Sequence, residues 1–186
     1  MAKVLYITNV SVDGYIEDEQ GSFGWAEPDD EYFAFITDVL RPAGTYLYGR
    51  RLYDVMRYWE SPPPGGSKVT QDYAAIWQAA DKVVYSTTLE AVSTSRTRLQ
   101  ESFDQEAVQE LKGAATKDLS VGGPGLAAEA LRAGLVDECQ LFLHPVVVGG
   151  GTHWLPGGLQ LDLELADERR FESGVVYLHY RRRAGT

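Results

Sequence analysis

Three short stretches combine residue types that suit an anionic ligand. Residues 119–129, LSVGGPGLAAE, set Gly122, Gly123, Pro124 and Gly125 between an apolar run and an alanine-leucine stretch. Glycines let a backbone approach a phosphate without Cβ clashes, and a helix N-terminus offers free N–H groups at the positive end of its dipole. A tight strand-to-helix turn with Pro124 at the first helical position is the other reading of the same residues. Gly49-Arg50-Arg51 and Ser86-Thr87-Thr88 each follow a short apolar run as well. Paired arginines suit bidentate contacts to phosphate, or a solvated helix start. The hydroxyls suit the same ligand, or the capping of a turn. Ser95 and Arg96, in STSRTR, offer one more cationic contact or a polar edge segment. The spacing is not Gly-x-Gly-x-x-Gly, so a conventional dinucleotide fingerprint is disfavoured.

Two other residues have the chemistry to move protons. Asp30 sits at the mouth of an aromatic helix, five residues after Trp25, with Asp29 and Glu31 beside it. It reads either as an N-terminal helix acid or as a carboxyl beside an apolar pocket, where burial would raise its pKa. His144 ends a buried run just before Pro145, as a core histidine or a functional one. His153 lies in a glycine loop and His179 alternates within the last strand. With three scattered histidines and one cysteine there is no metal-ligand spacing. Cys139, inside CQLFL, reads as a small core residue.

The elements that must position these residues are legible as hydrophobic periodicity. Residues 4–9, 45–48, 82–85, 118–121 and 139–148 are short apolar runs of buried-strand type, the last interrupted by Pro145. Helical spacing of Tyr32, Phe35, Ile36 and Val39 follows an acidic start at Pro28, Asp29, Asp30 and Glu31 and stops at Pro42. Further helices are expected from residue 50 to about 58, from Thr70 as cap through Ala80, after Asp104 as cap, and through Arg132 with Gly134 as C-terminal cap. Residues 159–183 alternate with period two on each side of Glu172-Ser173-Gly174, an antiparallel hairpin. Strands separated by helices favour a parallel sheet, whose ligands sit beyond the carboxyl ends of its strands. All three candidate ligand turns fall at such ends.

Composition narrows the partners. The 186 residues, 44% apolar and 24% charged, suit one domain, and SPPPGGS at 61–67 is too short to divide it. A formal net charge of −10 disfavours nucleic acid. No segment approaches the roughly 18 apolar residues of a membrane helix, and the N-terminus already looks like a strand rather than a leader. A cytoplasmic address is the default expectation.

Taken in order, ITNVSVDGYI, GW…PDDEYF, YLYGRRLYDVM, KVVYSTT and DLSVGGPGLAAEALRAGLVDECQLFLHPVVVGGGTHWLP resemble the dihydrofolate reductase-like superfamily. The resemblance is nearest to bacterial proteins grouped with the reductase domain of the bifunctional riboflavin-biosynthesis enzyme. It implies a three-layer α/β/α fold with a mostly parallel sheet, NADPH as cofactor, a small heterocyclic substrate and a homodimer. By motif matching it implies that Gly49, Arg50 and Arg51 hold cofactor phosphates, with Arg96 as a further contact. Ser86 and Thr87 would meet the adenosine 2′-phosphate, and Gly122, Gly123, Pro124 and Gly125 would form the pyrophosphate loop. Asn9, Asp13 and Trp25 fall on the substrate side, and Asp30 and His144 on the catalytic pair. Two positions depart from the pattern. Ala80 stands where folate reductases grip the glutamate tail with arginine, and Thr8-Asn9-Val10 stands where riboflavin-pathway reductases carry a lysine. The implied activity is hydride transfer to C=N or C=O. The pyrimidine-reductase step of riboflavin synthesis, a non-catalytic NADPH-binding protein and a flavin-binding oxidoreductase are the alternatives.

Overall fold

The computed structural model describes residues 1–27 and 29–183, so Pro28, read above as part of a helix start, lies outside the described residues. An eight-stranded sheet forms the middle layer. Its strands are β1 (Val4–Ser11), β3 (Ala43–Gly49), β4 (Asp81–Tyr85), β5 (Thr97–Gln100), β6 (Asp118–Gly122), β7 (Glu138–His144), β9 (Leu163–Arg170) and β10 (Val176–Arg182). They run in the order β5-β4-β3-β6-β1-β7-β10-β9. All neighbours from β5 to β7 pair parallel, and β10 pairs antiparallel with both β7 and β9. A small second sheet joins β2 (Tyr15–Glu17) to β8 (Thr152–His153). The expected α/β architecture with a C-terminal antiparallel hairpin is what the chain forms.

Among the described residues five α-helices cover the sheet: α1 (Asp30–Leu40), α2 (Arg50–Met56), α3 (Lys68–Ala79), α4 (Gln105–Ala114) and α5 (Pro124–Arg132). One face buries Val4, Tyr6, Leu119 and Val121 against Val108 of α4 and Leu126, Ala127 and Ala130 of α5. The opposite face packs Tyr46, Tyr48 and Val84 against Leu40 of α1, Tyr53 of α2, and Tyr73 and Trp77 of α3. A third cluster holds Tyr32 of α1 against Phe142, Phe171, Val175 and Tyr177. β1 serves both faces by strict alternation: Tyr6 goes to the first, while Ile7 packs against the second and third.

Two local expectations change. Ser67 rather than Thr70 caps α3, its hydroxyl accepting from the Thr70 amide at 3.3 Å, and the strand expected over 139–148 ends at His144, before Pro145. Of the two readings of STSRTR, the polar edge segment is the one formed: Thr97–Gln100 pairs in parallel with β4 and extends the sheet by one place. Its alternating half-buried pattern is too short to stand out from a polar loop by periodicity.

Candidate active site

Adjacent pairing of β4, β3 and β6 brings the three turns to one edge. Gly49 lies opposite Tyr85 across β3–β4, and Tyr48 lies opposite Gly122 across β3–β6. The residues that follow, Arg50, Ser86 and Gly123, therefore leave the sheet at one level on neighbouring strands. With strands about 4.8 Å apart, the row spans roughly 10 Å. Arg50 reaches along it, its Nη1 donating to Thr88 Oγ1 at 2.5 Å, while Asp54 sits 3.6 Å from its Nε. Arg51, Thr87 and Thr88 are exposed and Ser86 is half-buried, its Oγ accepting from the amides of Thr88 and Leu89.

The glycine turn divides its work. At Gly122 a Cβ would come within 2.4 Å of Leu52 Cδ2, so this position is kept bare by the packing of α2. Gly123 has φ +90°, which disfavours any side chain, and it is the N-cap of α5. A Cβ at Gly49 or Gly125 would meet nothing within 4 Å, so open space lies over both. Asp29, Ser67 and Asp104 cap α1, α3 and α4 through their side chains, whereas α5 has no side-chain cap.

Arg96 is not part of this row. Parallel pairing returns the chain to the amino-terminal end of the sheet before β5 starts, and Arg96 binds Asp81 there at 2.8 Å. The length of β4, about 15 Å for five residues, separates it from Ser86. The expectation of a cofactor contact from Arg96 is corrected accordingly.

Beyond β6 the edge continues to β1 and β7, where the side chains change character. Asn9 lies opposite Phe142 and Ser11 opposite His144. Asn9 faces α1, two residues after Ile7. Tyr32, in the first turn of α1, donates its hydroxyl to Asn9 Oδ1, and His144 Nε2 lies 3.2 Å from the same oxygen. The rings of Trp25 and Tyr32 approach His144 edge-on, with centroids at 5.5 and 5.6 Å. His144 is 4% exposed, and burial holds its imidazole pKa below the ordinary 6.5. Burial also pushes the Tyr32 hydroxyl well above its usual range, so it stays protonated as a donor.

Two predicted residues have other positions. Asp30 is exposed at the first residue of α1, clear of the buried trio, because Asp29 takes the cap and Tyr32 is the residue that points inward. The expectation of a carboxyl sheltered beside an apolar pocket is therefore corrected. Asp13 accepts from Ser11 Oγ at 2.6 Å and from the amides of Val148 and Gly149 at 3.2 and 2.8 Å. The Ser11 hydroxyl, with those amides, holds its pKa below the usual carboxylate range. It ties the turn after β1 to the glycine loop after β7 rather than facing substrate directly. Tyr32 was missed by sequence reasoning because its spacing is that of a core residue, and the hydroxyl on an otherwise apolar stripe was the available signal. Cys139 is buried in the core and its thiol is pushed up to about 11 by burial. His153 is exposed and stacks on Tyr15 at 4.2 Å.

A mostly parallel sheet closed by an antiparallel hairpin, with the three turns at one end of its carboxyl edge and the Asn9–Tyr32–His144 trio at the other, is the α/β fold of the dihydrofolate reductase-like class. The chain belongs to the RibD C-terminal domain family, whose match covers residues 2–177. It is 30% identical over 175 residues to the uncharacterized protein YyaP of Bacillus subtilis strain 168, covering 92% of this chain and 90% of that one. A crystal structure from Shewanella sp. PV-4, assigned provisionally to riboflavin biosynthesis, superposes with a TM-score of 0.76 at 18% identity, covering 98% and 99% of the two chains. Dihydrofolate reductase from Enterococcus faecalis, complexed with NADP(H), superposes with a TM-score of 0.65 at 12% identity, covering 97% and 96%.

Proposed function

We propose that the protein is an NADPH-dependent reductase of a small planar substrate bearing C=O or C=N. The observation that carries this reading is the continuity of the edge: the β4-β3-β6 turns run directly into the Asn9–Tyr32–His144 trio on β1, α1 and β7. The residues fit the cofactor. Arg50, Arg51 and the hydroxyls of Ser86 and Thr87 would hold the phosphate of the adenosine ribose, and Gly49, Gly123, Pro124 and Gly125 would border the pyrophosphate, with the uncapped first turn of α5 donating to it. NADPH, when bound there, would supply the hydride and be converted to NADP+. This chain's residues hold the acceptor beside it, exclude water through Trp25 and Tyr32, and deliver the proton that the reduced heteroatom takes up.

His144 is the group of the trio that titrates nearest neutral pH, and we assign the proton delivery to it rather than to Asp30. With its pKa held below 6.5 by burial, the ring delivers a proton through its minor protonated form, so turnover should rise as pH falls toward that pKa. The accompanying reading is a homodimer, for which the support is β9, an edge strand exposed from Glu164 through Arg170. Sedimentation at micromolar concentration tests that part.

The cofactor reading is tested by thermal shift with NADPH against NADH, since a ligand that binds the folded state raises its apparent stability. A larger shift with NADPH is expected. Equal shifts would remove the assignment of Arg50, Ser86 and Thr87 to the extra phosphate, and no shift with either would overturn the cofactor reading. The family match also favours a narrower reading, the pyrimidine reductase of riboflavin synthesis. Oxidation of NADPH by the phosphoribosylaminouracil substrate of that step would establish it.

A further inference from the structure

Tyr32 is the one member of the trio that does not stand on the sheet. Asn9 and His144 are fixed by the pairing of β1 with β7. Tyr32 lies in the first turn of α1, where a helix opens most easily because its leading N–H groups lack intrahelical partners. Asp29 supplies part of the hold: its carboxylate accepts from the Tyr32 amide at 2.8 Å, and its carbonyl accepts from the Phe33 amide at 2.8 Å. Those bonds close the turn on itself and do not set its distance from the sheet.

That distance is set by packing, and Arg169 closes the packing from outside. The Tyr32 ring meets Phe142, Phe171 and His144 edge-on, with centroids at 4.9, 5.7 and 5.6 Å. Phe171 in turn meets Phe35, which lies one helical turn beyond Glu31, at 5.3 Å. Arg169, near the end of β9, has its Cζ 4.9 Å from the centres of both the Phe35 and Phe171 rings, and its Nη2 donates to Glu31 Oε1 at 2.6 Å. A lone ion pair between half-exposed side chains contributes little. Here two aromatic rings hold the guanidinium as well, so one side chain ties β9, the turn after it and two successive turns of α1.

We propose that Arg169 is a positioning residue for the site: closed over Phe35 and Phe171 and bonded to Glu31, it keeps the first turn of α1 at the depth where the Tyr32 hydroxyl meets Asn9 and the Tyr32 ring covers His144. The proposal rests on the reading of that trio as the proton-delivering end of the carboxyl edge. It adds to it a residue on the outermost strand, with β10 standing between β9 and β7. Arg169 acts through Phe171 and Tyr32, and what it controls is the access of water to His144.

The test reads the trio directly, in the full-length protein without cofactor or substrate. The groups facing the His144 ring are Asn9, Trp25 and Tyr32, none of them charged, so its titration reports water access. In Arg169→Gln the Tyr32 and Phe33 amides are expected to exchange with solvent about tenfold faster than in the wild-type protein, with the amides of α5 unchanged. The NMR titration of the His144 ring is expected to move up toward 6.5 as water reaches it. Glu31→Gln, which removes only the ion pair, should shift both readings the same way by less, and decides the matter should Arg169→Gln fail to fold. Tyr32→Leu removes ring and hydroxyl together. Adding Arg169→Gln to it should leave the His144 titration where Tyr32→Leu alone puts it. An unmoved His144 titration, exchange that rises in α5 as much as in α1, or a further shift in the double variant overturns the proposal. A failed cofactor reading is seen separately, in the thermal shift with NADPH.

Discussion

The two halves of the sheet's carboxyl edge are built in opposite ways. On the β4-β3-β6 side the groups are backbone, glycine and exposed Arg50, Arg51, Thr87 and Thr88. On the β1–β7 side they are half-buried or buried side chains already bonded to one another: Asn9, Tyr32 and His144. An exposed cation keeps its hydration until a phosphate arrives, so it can wait without a partner. A buried amide or imidazole cannot, because an unpaired polar group in low dielectric is costly. On the proposed reading the first half grips a charged ligand from water, and the second holds a neutral one against groups already paired.

The largest effect should come from breaking the buried half alone. His144→Gln is expected to lower turnover about 10²- to 10⁴-fold, the range of general acid–base contributions, with NADPH affinity within about twofold of wild type. Asp30→Asn should leave both near wild type across pH. A large loss in Asp30→Asn would move the proton path to the helix mouth and sink the assignment to His144.

Breaking the exposed half is the next test. Arg50→Ala removes a charge-assisted contact worth about 1.5–3 kcal/mol, so the Kd for NADPH should rise at least tenfold and approach that for NADH. Binding of small pyrimidine probes should be unaffected. If Arg50→Ala weakened the probes as much as NADPH, the halves would not be separate.

Gly123→Ala sharpens the comparison from the backbone side. Its φ of +90° makes any side chain strained, by about 1–2 kcal/mol. Chemical denaturation should show that loss, together with weaker NADPH binding.

The smallest effect is a pH slope. The folded-state pKa of His144 lies below 6.5, so the folded protein favours the neutral ring. As pH falls below 6.5 the unfolded chain takes up a proton that the folded chain does not, and stability falls. Between pH 7 and 5, His144→Gln should flatten the decline that the wild-type protein shows in denaturant midpoints. An unchanged slope would mean that burial of His144 does not perturb it.

Much of the exposed half was legible because its signals are local. Gly-Gly-Pro-Gly after an apolar run, Gly-Arg-Arg and Ser-Thr-Thr are each contained in three or four residues, and the parallel-sheet pattern places all three at strand ends. Arg96 was misplaced by the same local reasoning that put the other turns on one edge. It too sits beside a strand, but the wrong end of one, and one short irregular strand was enough to hide the direction. The buried half was legible only in part. His144 and Asn9 drew attention by type, yet Tyr32 looked like its neighbours Phe35 and Ile36, and Asp30 looked better placed than it is.

By itself the sequence determined the alternation of strands and helices, the turn chemistry and the hairpin at the end, since hydrophobic period and glycine or proline positions act over a few residues. Only the tertiary structure decided which turns share an edge, and which residue of the first turn of α1 points inward to meet Asn9 and His144. Those outcomes depend on strand order and on register between β1 and β7, residues more than a hundred positions apart. Local propensity does not set either of them. Long-range packing does.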